Sequence, residues 1–206
     1  MASGGRCAKK LFRAYFDTRT AGSFAAEWTI MFGHFFNYSL FITPTWSTIK
    51  GFSKDQTPLI YMVGGTVTIL GGFIWGRLAD KYGKLRIFTI AGFLSLFPVL
   101  FITNLPSSWS LALVLVPFGL WFGMANGRTI TMQAMVSQVV APEHRGSFMS
   151  FNSSTQQLFT GAAGALAGII VYSDANLRIY NYQWLGYISV VVIALCLLLA
   201  RRLGVK

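Results

Sequence analysis

Six long apolar runs are the feature of this sequence that most constrains its fold. A helix of about 20 apolar residues crosses the hydrocarbon core of a bilayer, where lipid offers no hydrogen-bond partner to free backbone groups. The chain has 206 residues, and only 11% of them are charged. The runs lie near residues 24–45, 58–77, 86–104, 109–134, 147–172 and 183–200. We therefore predict an all-α, polytopic membrane protein with six transmembrane helices.

The predicted spans divide the chain into three parts. Residues 1–23 form a basic tail or surface helix, because apolar side chains at 11, 12, 15 and 16 have amphipathic spacing. Residues 24–200 form the six-helix transmembrane bundle, and residues 201–206 form a short basic C-terminus.

The basic residues are distributed unevenly between the two predicted sides of the membrane. Of 17 Lys and Arg residues, 13 fall in the tail, the 77–86 segment, the 140s loop and the C-terminus, three fall on the other side, and Arg128 falls inside a span. Basic residues favour the cytoplasmic side. We therefore expect a multi-pass protein of the cell membrane with both termini cytoplasmic. The net charge of +11 is then a topology signal, and nucleic acid is not an expected partner.

A cluster of charges separates the second and third runs in the stretch GRLADKYGKLRIF, residues 76–88. The Asp80 carboxylate can accept hydrogen bonds from a helix N-terminus or pair with a cation. Gly76 and Gly83 permit close approach and unusual backbone angles. The cluster, which also contains Lys84 and Arg86, is predicted to hold one side of the bundle closed in one conformation and to release it in another. The alternative is that the basic residues only fix the topology.

The spacing of this stretch resembles a family signature. It reads G-x-L-x-D-x-x-G-K, which closely resembles the cytoplasmic loop motif of major facilitator superfamily transporters. That motif lies between the second and third helices of each six-helix half. A second segment, APEHRGSFMSFNSSTQQLFTGAAGALAGIIV, resembles the loop and helix that join the fourth and fifth spans, through Pro142, Arg145 and Gly146.

The resemblance implies one six-helix half, built from 3+3 inverted repeats, of a transporter that usually has twelve helices. Ala165 follows Gly164 where N-terminal halves of antiporters often have Gly-Pro, so a C-terminal half of a sugar-efflux-like member is favoured. The implied function is transport of a small solute by alternating access, with efflux or proton coupling both open. The implied partners are the lipid bilayer, the solute and a second six-helix bundle. That bundle is another copy, a separately encoded half or a missing piece of the polypeptide. The alternative is a non-transporting fragment or an interaction or assembly protein that keeps the fold.

Polar side chains at membrane depth usually face the bundle interior or a water-filled cavity. His34 lies near mid-membrane and is either proton-linked or a neutral histidine bonded to a neighbouring helix. Arg128 either binds an anionic or polar solute, pairs with a carboxylate, or extends toward the interface. Amide side chains suit hydroxyl-rich or zwitterionic solutes, or helix packing. The predicted solute path comprises His34, Asn37, Tyr38, Trp121, Arg128, Asn152, Gln156 and Gln157.

Small residues recur along three of the predicted spans, where they favour close helix packing. The fourth span has glycines at 119, 123 and 127, and we expect this stripe to contact a neighbouring helix while Trp121 and Arg128 face a cavity. The other two stripes are Gly65, Gly72 and Gly76, and Gly161, Gly164 and Gly168.

Signatures of catalysis are missing from the sequence. It has no glycine-rich phosphate loop, no supportable Ser–His–Asp arrangement and no metal-ligand cluster. The two cysteines lie near opposite ends of the chain and imply no disulfide framework. We therefore expect no enzyme, no cofactor and no metal site.

Overall fold

The computed structural model of the protein describes residues 56–104, 109–138, 142, 145–173 and 179–202. Within these ranges the chain forms helices and one short antiparallel bridge. In order they are α1 (Thr57–Tyr82), α2 (Lys84–Leu94), α3 (Leu96–Thr103), α4 (Leu111–Val136), α5 (Arg145–Ile170), β1 (Tyr172–Ser173), β2 (Ile179–Tyr180) and α6 (Tyr182–Arg202). The predicted tail and the first predicted span lie outside the described residues.

Four stretches of helix are long and apolar enough to cross a membrane. They are Pro58–Tyr82, Lys84–Thr103, Leu111–Val136 and Tyr182–Arg201. They coincide with the predicted second, third, fourth and sixth spans to within a few residues. Helix α5 occupies the fifth predicted span and, with 26 residues, is as long as α1. The predicted all-α polytopic class is confirmed, and the bridge pairs only Tyr172 with Tyr180 and Ser173 with Ile179.

Helix α1 is longer than the sequence pattern predicted. It continues through the charged segment to Tyr82, and α2 begins only two residues later at Lys84. Arg77, Asp80 and Lys81 therefore lie on the last turns of a helix, and the predicted loop shrinks to Gly83. Burial of Ala79, which is 4% exposed, keeps this end of α1 packed against the bundle.

The third span is divided at Ser95 into α2 and α3. Pro98 has no backbone N–H, so the carbonyl oxygen of Leu94 loses its helical partner there. The hydroxyl of Ser95 donates a 2.6 Å hydrogen bond to the carbonyl oxygen of Gly92. The span therefore crosses as two helical segments. Pro117 lies inside α4 and does not end it.

The glycine stripe of α4 packs against α1, as the sequence predicted. A Cβ atom at Gly123 would lie 3.0 Å from Val67, and one at Gly127 would lie 2.7 Å from the ring of Trp75. On α1 the closest contact comes from Gly64, whose Cβ position falls on the ring of Phe122. No described atom lies within 4 Å of the Cβ position at Gly65 or at Gly76, so packing at these two positions of the α1 stripe stays a prediction.

Two buried apolar clusters lie at opposite ends of the bundle. The cluster at the end that carries Gly83, here called the Gly83-end cluster, comprises Phe88, Met132, Met135, Val136, Phe148, Cys196 and Ala200. The opposite cluster comprises Ile60, Val99, Ile102, Val114, Phe118, Trp121 and Ile193. Helices α5 and α6 also contact each other through Ala163, Ala167 and Leu185.

Candidate functional site

The turn between α1 and α2 depends on the backbone of Gly83. Its φ of 91° and ψ of 137° lie where side chains are rarely tolerated, as its spacing in the motif predicted. Its N–H donates to the carbonyl oxygen of Ala79 at 3.0 Å, and its own carbonyl oxygen accepts from Ile87 at 3.2 Å. One residue thus ends α1, begins α2 and reverses the chain.

Most of the charged side chains around this turn are exposed. Asp80 and Arg86 are exposed, Lys84 is half-buried, and Asp80 makes no hydrogen bond or ion pair with any described residue. Gly76 has ordinary helical backbone and open space at its Cβ position, within the described residues. The expected close approach at this glycine is therefore not made by the described part of the chain.

Arg145 and Gly146 begin α5, and both are exposed. Their helix starts beside the Gly83-end cluster, because Phe148 on its first turn belongs to that cluster. The two motif segments therefore lie at the same end of the bundle.

Trp121 packs in the opposite cluster, where it is 4% exposed. Its ring meets that of Phe122 edge-on, with centroids 5.0 Å apart. The structure therefore places Trp121 in an apolar core that it shares with buried residues of α1, α3 and α6. Its contact with a solute stays a prediction.

Arg128 lies in the interior of α4 and is 2% exposed. Its Nε and Nη1 atoms have no hydrogen-bond partner in the described part of the chain. The thiol of Cys196 on α6 lies near its guanidinium. A buried charge without a partner is costly in free energy. Arg128 therefore does not extend to the membrane interface, which was one of the alternatives open from sequence.

The three predicted amides on α5 differ in burial. Asn152 is 0% exposed, and no described residue bonds to its Nδ2 or Oδ1 atom. Gln156 is half-buried and Gln157 is exposed. Only Asn152 thus faces fully into the bundle.

Helix geometry brings Asn152 to the level of Arg128. Met132 and Phe148 share the Gly83-end cluster, with α4 running toward that end and α5 running away from it. Arg128 lies one turn before Met132, and Asn152 lies one turn after Phe148. Both steps lead away from the same cluster, by about 6 Å. The two side chains therefore lie at the same level of the bundle, one turn above the Gly83-end cluster.

Ser189 on α6 was missed by the sequence reasoning. It is 0% exposed, and its Oγ atom has no hydrogen-bond partner within the ranges that the structure describes. It lies seven residues before Cys196, about 10 Å further from the Gly83 end. A lone serine within YISVVVIALC gives no periodic signal, so only the packing of α6 shows that it faces inward.

Three residues of the predicted path, His34, Asn37 and Tyr38, lie outside the described residues. Among those described, the groove between α1 and α4 has a volume of about 330 Å³ and is lined only by apolar residues and glycine, including Val63, Val67 and Met124. This groove offers no polar contact to a solute.

Apolar helices of membrane length around buried polar side chains define a polytopic α-helical membrane protein. The family model of the Major Facilitator Superfamily matches residues 24–205, which covers all six predicted spans. The chain belongs to this family.

Curated relatives agree with this assignment. The chain is 28% identical over 158 residues to "Alpha-ketoglutarate permease" of Escherichia coli K12, covering 72% of this chain and 36% of that protein. It is 28% identical over 178 residues to "Probable sugar efflux transporter" of Helicobacter pylori J99, covering 86% and 42%. It is 29% identical over 133 residues to "Probable 4-methylmuconolactone transporter" of Cupriavidus pinatubonensis, covering 64% and 30%. The chain thus spans less than half the length of these relatives.

Proposed function

We propose that this chain is one six-helix half of a secondary transporter and moves a small solute across the membrane by alternating access. The observation that carries the proposal is the family match over residues 24–205. The names of the relatives, which describe a permease and transporters, support it. Two bundles then rock around a site near the midplane of the bilayer. The relative named "Probable sugar efflux transporter" favours efflux as the direction of transport. Proton coupling through His34 is the other possibility that we propose.

The solute path needs a second bundle, because six helices supply only one of its two walls. The match to 36–42% of two relatives' lengths supports this requirement. We propose a C-terminal half, for which the second bundle is a further part of the polypeptide. The two halves of such transporters share one fold. In vitro, a second copy of this chain can therefore take the position of the second bundle.

The Gly83 turn is proposed as the gate on the cytoplasmic side. Asp80 is exposed without a partner among the described residues, and the space at Gly76 is open there. A helix N-terminus of the second bundle can approach Gly76 and donate N–H hydrogen bonds to the carboxylate of Asp80. Both chain termini then lie in the cytoplasm and the bundle in the cell membrane, as the basic residues indicate.

The proposed solute path keeps the residues predicted from sequence. Burial supports Arg128 and Asn152 most strongly, since polar groups inside the membrane usually mark a pathway or a binding site. Gln156 and Gln157 continue the polar side of α5 toward the other end. Trp121 lies at the apolar border of this path.

Solute uptake into proteoliposomes that hold several copies per vesicle tests the proposal. The labelled probes are 2-oxoglutarate, gluconate and glucose. We expect saturable uptake of at least one probe, and loss of most of it in His34→Ala, Arg128→Ala and Asp80→Asn. Thr66→Val is the matched control, because Thr66 is exposed and bonds only to the carbonyl oxygen of Met62 in its own helix.

Two outcomes would contradict the proposal. Wild-type rates in all three variants would remove these residues from the path and gate. Absence of saturable uptake by the wild-type chain would favour the alternative, a non-transporting interaction or assembly protein that keeps the half-fold.

A further inference from the structure

Unpartnered polar atoms concentrate at one level of the bundle. Of the five buried side-chain atoms without a hydrogen-bond partner in the described residues, two belong to Arg128 and two to Asn152. Native proteins satisfy nearly all such atoms, so unpaired ones call for a specific explanation. A buried arginine and a buried asparagine at the same level, one turn above an apolar cluster, outline a small polar site.

The chemistry of the two side chains selects the partner. A guanidinium has only donors and a fixed positive charge, and its planar fork matches the two oxygens of a carboxylate. An amide adds one further donor group for an oxygen that the guanidinium leaves unpaired. The described surroundings of Arg128 are the thiol of Cys196 and the apolar side chains of the Gly83-end cluster. No described anion therefore neutralises its charge.

We infer that Arg128 and Asn152 form an internal binding site for the carboxylate group of a small organic anion, between α4, α5 and α6. The inference rests on the proposed function and names its substrate class. The site lies within this one chain, so binding does not need a second bundle. Because both residues are closed to solvent here, the anion enters when the bundle opens.

Binding to the full chain in lipid nanodiscs tests the site without transport. The probes are lactate and benzoate, each compared with its neutral amide, lactamide or benzamide. We expect at least one carboxylate to bind and to raise the melting temperature, and its amide to bind at least tenfold more weakly, the loss typical of charge-assisted hydrogen bonds. Equal binding of every acid and its amide would overturn the inference. If carboxylates bind but no uptake is seen, the proposed transport function is contradicted and the proposed binding site is not.

Substitutions at Arg128 separate a ligand site from a structural charge. Arg128→Met should abolish carboxylate binding and raise the melting temperature of the ligand-free protein, because it removes an unpaired buried charge. Arg77→Met removes the same charge from an exposed position and should leave binding unchanged. Retained binding in Arg128→Met would overturn the inference.

Asn152→Asp tests the meeting of the two side chains directly. A carboxylate at this position would form an internal ion pair with the guanidinium of Arg128. The ligand-free protein should therefore become more stable, and binding of an added carboxylate should be lost. A variant that still binds carboxylates with wild-type affinity would overturn the proposed juxtaposition.

A carboxylate of the protein itself could pair with Arg128 in place of a bound organic anion. Glu27, which lies outside the described residues, is the candidate within this chain. If Glu27→Gln and Arg128→Met both lower the melting temperature by the same amount, with no further loss in the double variant, the two residues form a structural ion pair. That result would overturn the solute site. We expect Glu27→Gln to leave carboxylate binding intact.

Discussion

The indole N–H of Trp75 on α1 donates a 2.8 Å hydrogen bond to the carbonyl oxygen of Gly123 on α4. One turn away, Nδ2 of Asn126 donates a 2.8 Å bond back to the carbonyl oxygen of Thr68 on α1. The ring of Trp75 also covers Gly127 at 2.7 Å from its Cβ position. The two helices are thus joined by reciprocal hydrogen bonds across a closely packed glycine surface.

Adjacent glycines on α1 should respond differently to alanine. Gly64→Ala places a methyl group on the ring of Phe122 and should destabilise the protein by about 1–3 kcal/mol. Gly65→Ala meets no described atom and should be neutral or stabilising by about 0.5–1 kcal/mol, since alanine favours helix. Thermal unfolding in detergent, followed by tryptophan fluorescence, measures both. Equal losses in the two variants would contradict the described register of α1 on α4.

Removal of the interhelical amide bond should weaken α1–α4 packing. Asn126→Ala loses its bond to Thr68 and should lower stability by about 0.6–1.7 kcal/mol, the range for hydrogen bonds between membrane helices. Asn104→Ala is the matched control, because its amide reaches only Leu100 and Thr103 near its own helix end. Chemical unfolding in mixed micelles compares the two. A larger loss in the control would show that the amide of Asn126 contributes little to packing.

The apolar runs predicted the helices well, because length and hydropathy alone decide whether a segment can cross a bilayer. The α4 glycine stripe was also visible, since small residues recur every four positions. The face of α1 that contacts this stripe was not visible in the sequence. Which α1 glycine contacts Phe122 depends on the register between the two helices, whereas the spacing on α1 alone favoured Gly65. Pro98 indicated the helix break at Ser95, but the continuous apolar run around it favoured a single unbroken helix.

The candidate site was predicted by residue type and not by arrangement. Arg128 and Asn152 were identified because polar side chains are rare in such runs. Their common level follows from the Gly83-end cluster, to which both α4 and α5 contribute and which has no mark in the sequence. Trp121 was expected at a cavity, but it is buried in an apolar cluster to which α1, α3 and α6 also contribute.

The turn between α1 and α2 should not tolerate a side chain at Gly83. Gly83→Ala forces a φ of 91° on an alanine, which should cost about 1–3 kcal/mol. Gly146→Ala has ordinary backbone and open space in the described part of the chain, so its stability should stay close to wild type. Thermal unfolding and limited proteolysis at the 77–86 segment measure the effect. Full stability of Gly83→Ala would mean that the turn adopts another conformation.

The central claim is that this chain supplies one wall of a two-walled solute path. A dilution series of the purified chain in proteoliposomes, from several copies per vesicle to fewer than one, tests it most directly, with labelled 2-oxoglutarate, gluconate and glucose as probes. The account predicts no uptake above protein-free vesicles at single copies, and saturable uptake that rises more steeply than linearly with copy number. Saturable uptake that stays proportional to the number of chains down to single copies would contradict it.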